Sequence, residues 1–134
     1  VKVPDPRRRG ITLVHEMRAR GIRVSFASDN TRDPFYAYGD MDMLEVMREA
    51  TRIGHLDHSR SDWTTSFLTD PAASCGFDAP SLAEGASADL VIVKAHSWTE
   101  LFARPQADRI VLRRGEQIDR RLPDYAELDD LMRT

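Results

Sequence analysis

The clearest pattern along the chain is a short alternation of apolar and polar residues that ends in a loop rich in carboxylates. Ile22, Val24 and Phe26 alternate with polar neighbours, which is the period of a β-strand with one buried face. The loop that follows, up to Gly39, has no helical or strand period, and loops of this length are usually functional or disordered. Its three aromatic residues, Phe35, Tyr36 and Tyr38, argue against disorder.

Helices are predicted on both sides of this strand and loop. The first has Thr12 as its N-terminal cap and Gly21 as a left-handed C-terminal cap. The second is capped by Asp40 or Asp42, and its apolar face consists of Met43, Val46, Met47 and Ala50. Because parallel strands need crossover helices, the order helix, strand, loop, helix predicts a parallel βα architecture.

Two further short helical segments are predicted after the second helix. Trp63, Phe67 and Leu68 suggest one or two helical turns. The run TDPAASCG then predicts a short helix with Pro71 at its first position and Gly76 at its end.

From Gly85 onward the pattern becomes rich in β-structure. Strands are predicted at residues 90–93, at residues 110–112 and around Ile118, with a turn at Arg114 and Gly115. The tail from Asp124 is predicted to form a terminal amphipathic helix, with Tyr125, Leu128, Leu131 and Met132 as its apolar residues. These strands are expected to form a small sheet added to the helical part.

Composition narrows the class of protein. With 134 residues, 41% of them apolar, the chain has enough material for one ordinary core. The net charge of -3, with both signs mixed, provides no basic block, so we expect no nucleic-acid partner. One cysteine excludes an internal disulfide, and no apolar run reaches the roughly 18 residues of a membrane span. We therefore expect a soluble cytoplasmic protein, and because the chain lacks an initiator Met and a signal pattern, we expect it to begin inside a longer one.

The carboxylates after the first strand are the main candidates for chemistry. Asp29 follows the strand directly, where parallel α/β barrels place catalytic groups, so it is a candidate metal ligand or general base. An alternative is that Asp29 only caps the loop through its own backbone. Asp33 precedes Pro34, and Asp-Pro commonly starts a turn, so we interpret Asp33 as structural.

The remaining reactive residue types give weaker signals. His55 and His58 are three residues apart, a spacing that could serve a metal, but their polar surroundings favour a solvated helix end. His15 and His96 are expected at the surface, and Cys75 is expected to be packed among small residues. The sequence shows neither a Ser-His-Asp nucleophile elbow nor a glycine-rich phosphate loop.

Taken together, these segments resemble a known family. The run RRRGITLVHEMRARGIRVSFASDNTRDPFYAYGDMDMLEV is similar to the last barrel segment of bacterial cytosine deaminases and their near relatives in the metal-dependent amidohydrolase superfamily. The similarity continues through TDPAA, EGASADLVIV and IVLRRGEQI, which resemble the family's closing helix and C-terminal strands. It extends from about Arg7 to Ile118.

The resemblance implies roles for several residues. Asp29 matches the aspartate that ends the eighth barrel strand, binds the catalytic metal and shuttles a proton from water towards the leaving group. The implied cofactor is one divalent metal ion, zinc or iron. Asn30 stands where cytosine deaminases usually have a second Asp, Phe35 where they usually have Trp, and Ser28 where they usually have His. Asn30 and Phe35 therefore match positions that line the substrate pocket.

The implied fold is α/β, namely the C-terminal part of a TIM (β/α)8 barrel plus strands of an appended small β-sandwich. Residues 1–80 are expected to form the barrel segment, and residues 81–134 the sandwich strands with the terminal helix. A complete barrel takes about 250 residues, and the His-x-His of the family's first strand has no counterpart here. Because a catalytic metal needs about three protein ligands, we expect most ligands outside this chain, which would be inactive alone. The implied partners are a heterocyclic small molecule and the missing N-terminal barrel portion, and a homo-oligomer remains open.

Two other interpretations remain. One is a different amidohydrolase, such as a pterin, triazine or cyclic-imide hydrolase, because Asp29 and the C-terminal strands are widely shared within the superfamily. The other is a non-catalytic binding module that folds independently.

Overall fold

Short helices surround a small core, and the second half of the chain forms a three-stranded sheet. The computed structural model describes residues 10–59, 61–104, 108–121 and 124–133. Within these ranges the α-helices are α1 (Val14–Ala19), α2 (Met43–Gly54), α3 (Thr69–Cys75), α4 (Trp98–Ala103) and α5 (Asp129–Met132). Single 3-10 turns span Leu56–His58, Thr64–Phe67 and Tyr125–Leu128, and the strands are β1 (Leu90–Ile92), β2 (Ile110–Arg113) and β3 (Glu116–Gln117).

Helix α1 ends as predicted but begins later. Gly21 has φ +75°, its N–H donates to the carbonyl of Arg18 at 2.9 Å, and the N–H of Ile22 donates to Met17 at 3.0 Å. This pair of bonds is a Schellman motif, which confirms the predicted glycine cap. The predicted cap at Thr12 is wrong, because its carbonyl accepts the N–H of Val14 at 2.7 Å in a tight turn, and the helix starts after Leu13 without a side-chain cap.

The segment that the alternation predicts as a strand keeps its two faces but has no strand partner. Val24 is buried and Phe26 is half-buried, whereas Ile22 and Ser25 are exposed. No strand is formed here, so the strand assignment is wrong for the described structure. A strand requires a neighbour to complete its ladder, and among the described residues only the carbonyl of Ser66 takes part, by accepting the N–H of Phe26 at 3.1 Å.

The core lies between α1, this segment, α2 and the 3-10 turn at Thr64–Phe67. Its buried apolar members are Val14, Val24, Met47, Ala50, Leu56, Trp63 and Phe67, with Phe26 and Phe102 packed against them. The rings of Phe26 and Phe67 are stacked, with centroids 4.8 Å apart and planes inclined by 10°. This stack fixes the end of the segment that leads into the loop.

Helices α2 and α3 follow the sequence with one difference in position. The Oδ1 of Asp42 accepts the N–H of Leu44 at 3.0 Å, so Asp42, and not Asp40, caps α2. Gly76 ends α3 with φ +73°, as predicted. The placement of Pro71 at the first helical position is wrong, because α3 begins at Thr69. The third position suits proline equally, since the first turn of a helix has no internal acceptors for its N–H groups.

The small sheet is antiparallel, with strand order β1-β2-β3. Leu90 pairs with Leu112, and Arg113 pairs with Glu116. The predicted turn is confirmed: Arg114 has φ +52° and Gly115 has φ +83°, which is the geometry of a two-residue type I′ turn. The third strand ends at Gln117, just before the predicted Ile118, although Ile118 still donates its N–H to Val111 at 3.0 Å.

Three features of the second half differ from expectation. Helix α4 was not predicted, although Ser97 and Glu100 have the S-x-x-E spacing of a capping box, and the Ser97 hydroxyl does accept the N–H of Glu100. The predicted terminal helix is present, as a 3-10 turn that continues into the short α5, but its apolar face is not packed in the part of the chain that the structure describes: Leu131 is 76% exposed. Cys75 was predicted to be packed, but it is exposed, because α3 buries none of its residues.

Candidate active site: Asp29 and the loop behind it

Asp29 stands at the first turn of the loop with its carboxylate available. Its φ is +56°, a left-handed conformation in which Asp is several-fold enriched over most residues. The residue is exposed, and its side chain accepts no hydrogen bond from any described residue. The interpretation of Asp29 as a mere backbone cap therefore has no support in this geometry.

Asp33 organises the first half of the loop. Its Oδ1 accepts the N–H groups of Phe35 and Tyr36, both at 2.9 Å, and its Oδ2 accepts the amide of Asn30 at 2.6 Å. The N–H of Tyr36 and the amide of Asn30, with a lesser effect of the N–H of Phe35, hold the pKa of Asp33 below its ordinary value, although burial acts to raise it. The structural interpretation of Asp33 is confirmed.

Ion pairing and backbone bonds close the second half of the loop. Arg32 pairs with Asp40 at 2.6 Å, and its Nε donates to the carbonyl of Gly39 at 3.3 Å. The N–H of Arg32 also donates to the carbonyl of Tyr38 at 3.2 Å. The rings of Tyr36 and Tyr38 meet edge to face at 5.7 Å. The loop is therefore packed by its own side chains in the manner of an Ω-loop.

The predicted site residues occupy different environments. Asn30 is half-buried and bonded to Asp33, whereas the ring of Phe35 is 81% exposed. Both belong to the turn that Asp33 organises, so the structure connects Asn30 with Phe35. No bond between described residues connects either of them with the carboxylate of Asp29.

A cavity of about 220 Å³ lies between this loop and α2. Ser28, Thr31, Tyr36 and Asp42 contribute to its walls, together with apolar residues of α2. The hydroxyl oxygen of Thr31 is buried and has no hydrogen-bond partner among the described residues. Asp29 does not line this cavity and is exposed to solvent.

Comparison with known proteins identifies the family. The model of the amidohydrolase family matches residues 2–119, which is most of the chain. The chain belongs to the amidohydrolase family. Among its relatives, a pterin deaminase from Rhizobium rhizogenes is 54% identical over 128 residues, which cover 95% of this chain and 29% of that protein.

Solved structures give the same result for the fold of this amidohydrolase chain. A 5-methylcytosine deaminase from Klebsiella pneumoniae with bound 5-fluorocytosine is 29% identical, with a TM-score of 0.63 over 86% of this chain and 29% of that one. The same enzyme with phosphonocytosine is 27% identical, with a TM-score of 0.60 over 85% of this chain and 28% of that one. The chain thus spans about 29% of the length of the relatives that it matches.

The described residues of this amidohydrolase contain no group of three or more metal-ligating side chains. His55 and His58 have ring centroids 5.8 Å apart and are both exposed, so the structure supports the solvated interpretation of that pair. His96 is exposed as expected. His15 is also exposed, but its Nε2 lies 2.7 Å from the carbonyl oxygen of Gly54 and its ring meets Trp63 at 5.1 Å.

Sequence reasoning missed one contact near the site. A guanidinium nitrogen of Arg109 donates to the Oδ2 of Asp42 at 2.5 Å. The sequence suggested Asp42 only as a helix cap, and it gave no signal for Arg109, because the two residues are 67 positions apart.

Among the described residues, no helix is long and apolar enough to span a bilayer.

Proposed function

We propose that this chain is the C-terminal part of a metal-dependent hydrolytic deaminase, which removes ammonia from a cytosine-like nucleobase or a related aminated heterocycle. The observation that carries the proposal is the exposed carboxylate of Asp29, which has no partner among the described residues, whereas the carboxylates of Asp33 and Asp40 in the same loop are both bonded. Family membership and the two deaminase relatives support the reaction class.

We assign residues 1–80 to the last part of a TIM barrel and residues 81–134 to strands of a composite sandwich with the terminal segment. The segment that ends at Phe26 supports this assignment, because it has the burial pattern of a strand but no strand partner in the described structure. Exposed large side chains support it as well, because a single domain rarely leaves so many in contact with water. They include Leu13, Phe35, Tyr38, Met41, Phe77 and Leu82, each at least 68% exposed.

We assign Asp29 a share in binding one divalent metal ion, zinc or iron. Carboxylate oxygen is a normal ligand for such a metal, and one carboxylate is too few, so the remaining ligands belong to the barrel strands outside this chain. When bound, the metal lowers the pKa of water towards neutrality. Asp29 would accept a proton at a carboxylate oxygen and release it to the leaving amine, as a general base and acid.

Asn30 and Phe35 are proposed to contact the substrate ring. Asn30 presents an amide that recognises ring nitrogens and carbonyls, and the exposed ring of Phe35 can cover an aromatic face. The 54% identity to a pterin deaminase favours a pterin as the second candidate substrate class, beside the cytosine-like bases to which the structural relatives point.

The test is ammonia release by the intact enzyme from cytosine, 5-methylcytosine, isoguanine and pterins. Asp29→Asn should lower kcat by at least about a hundredfold, the effect of losing a positioned acid-base group. Asp57→Asn is the matched control, because Asp57 is exposed and outside the loop, and it should change kcat less than twofold. Absence of ammonia from every ring, or equal effects of the two variants, would contradict the proposal.

A second experiment addresses the binding-module interpretation and the oligomeric state. The isolated 134-residue chain should aggregate or unfold without cooperativity, because its exposed apolar side chains lack the rest of the barrel. A cooperative, monomeric chain would favour an independent module. Light scattering of the intact enzyme then gives the number of subunits.

A further inference from the structure

The contact between Arg109 and Asp42 connects the small sheet with the far end of the active-site loop. Arg109 immediately precedes β2, and Asp42 precedes α2. The Arg109 side chain is only 10% exposed, and that of Asp42 is 31% exposed. A guanidinium this deeply buried needs a carboxylate partner, because an unpaired buried charge is strongly unfavourable.

Both oxygens of Asp42 are used. One accepts the N–H of Leu44 and caps α2, and the other accepts the guanidinium of Arg109. Partial burial acts to raise the pKa of Asp42, but the hydrogen bonds from Arg109 and Leu44 and the charges of Arg109 and Arg120 outweigh it and lower the pKa. The carboxylate is therefore ionised at neutral pH, as the ion pair requires.

The loop between Asp29 and Asp42 is fixed at its two ends by different parts of the chain. At the near end, the N–H of Phe26 is bonded to Ser66 and its ring is stacked on Phe67. Between the ends, the ion pair of Asp40 with Arg32 and the bond of Asn30 to Asp33 join neighbouring parts of the loop. At the far end, the anchor is Arg109.

We propose that Arg109 is a positioning residue, which holds residues 29–42 in the conformation that presents Asp29 and Asn30 to the reaction. Arg109 does not line the cavity behind the loop, and it acts through Asp42. The assignment rests on the proposed function for its catalytic consequence. Its structural consequence, an ordered loop, can be measured whatever the reaction is.

Hydrogen exchange of the intact enzyme tests the structural part. Arg109→Met should speed exchange of the amides in residues 30–41 about tenfold, the change that about 1.4 kcal/mol of lost local stability produces. Asp42→Asn retains a good helix cap but loses the carboxylate, so it should have a similar effect and serves if Arg109→Met does not fold. The double variant with Arg109→Met and Asp42→Asn should exchange less than about twofold faster than either single variant, because both substitutions remove the same contact.

Lys94→Met is the matched control. Lys94 pairs with Asp108 at 3.1 Å, next to Arg109 in sequence, but its side chain is 83% exposed, and exposed pairs contribute little. Exchange in residues 30–41 should therefore stay unchanged. The proposal would be overturned if amide exchange in residues 30–41 of both the Arg109→Met and the Asp42→Asn variants equals that of the wild type. Fully additive effects of the two substitutions would overturn it as well.

Kinetics separate positioning from general destabilisation. At a temperature where all variants are folded, Arg109→Met should lower kcat about tenfold or more, since small misplacements of a catalytic group are costly. Arg109→Lys, which retains a positive charge, should recover part of the lost kcat. If the wild-type enzyme deaminates nothing, the proposed function fails while the exchange result still stands. If exchange changes but kcat does not, the positioning role fails and the deaminase proposal survives.

Discussion

Removing the guanidinium of Arg18 should release the turn at Thr64–Phe67, which supports the segment that leads to Asp29. Arg18 extends from α1 and donates to the hydroxyls of Ser66 at 2.7 Å and Thr65 at 2.9 Å, and to the carbonyl of Asp62 at 2.5 Å. Its guanidinium carbon lies 4.8 Å from the centre of the Trp63 ring. Ser66 in turn accepts the N–H of Phe26, so Arg18 acts on the segment that leads to Asp29.

The expected cost of Arg18→Met can be estimated from these contacts. Ser66 is fully buried, with 0% exposure, and a buried hydroxyl that loses its partner costs about 1–3 kcal/mol. The interaction with Trp63 adds about 0.5–1 kcal/mol. The bonds to Thr65 and Asp62 are closer to solvent and add less, while Met retains the apolar stem over the ring. We expect a loss of about 3 kcal/mol in local stability, or roughly a hundredfold faster opening.

Amide exchange in residues 62–67 of the intact enzyme measures this effect, because local opening is read there directly. Arg20→Met is the control, since Arg20 is exposed and its guanidinium bonds only the carbonyl of Glu16, at 3.3 Å, among the described residues. It should change stability by less than about 0.5 kcal/mol. An acceleration below about threefold for Arg18→Met, or equal effects of both variants, would refute the assignment of Arg18 as the support of this turn.

Three further predictions concern single positions. The pKa of Asp33 is lowered from 3.8 chiefly by the N–H of Tyr36, so the turn's stabilisation should be complete above about pH 5 and be lost as the pH falls through the folded-state pKa. Faster exchange of the Tyr36 amide at low pH, after correction for the intrinsic pH dependence of exchange, should show this loss, and an unchanged protection would contradict it. Gly39→Ala should loosen the loop by about 1–2 kcal/mol, because φ is +82° and a Cβ would lie 3.0 Å from the Tyr36 ring. Limited proteolysis should therefore cleave this variant faster than the wild type, whereas Gly10→Ala, with open space around its Cβ, should be cleaved at the wild-type rate. The exposed thiol of Cys75 should react with a thiol reagent in the native state, and protection until denaturation would contradict the exposure.

Local features were predicted from sequence where a residue type alone determines them. The caps at Gly21, Asp42 and Gly76 and the turn at Arg114 and Gly115 depend on backbone conformation and on short-range bonds, so the residue type is sufficient. The cap at Thr12 failed because its backbone made a different local bond, with Val14. Helix α4 is six residues long, like the predicted α1, but its sequence signal is the cap formed by Ser97 and Glu100 and not an apolar period.

Of the candidate site, the sequence predicted the residues but not what holds them. The structural role of Asp33 followed from Asp-Pro chemistry and is confirmed. The supports at Arg18 and Arg109 join residues 48 and 67 positions from their partners, and such pairing leaves no mark in a local pattern. The roles of Asp29, Asn30 and Phe35 remain predictions that came from family resemblance.

The segment before Asp29 has the side-chain pattern of a strand without the backbone bonds of one. Val24 is buried against the helices, while Ile22 is 48% exposed, so the side chains already have the two faces of a strand. Backbone N–H and C=O groups that lose water need partners, and within the described ranges the N–H of Ile22 finds one at Met17 and that of Phe26 finds one at Ser66. The helices thus set which side chains face inward, and under the proposed barrel assignment strands outside this chain would supply the missing backbone bonds. Because those bonds end at Asp29, they should reduce the freedom of its carboxylate, and slower amide exchange of residues 23–28 in the intact enzyme than in the isolated chain would measure that contribution.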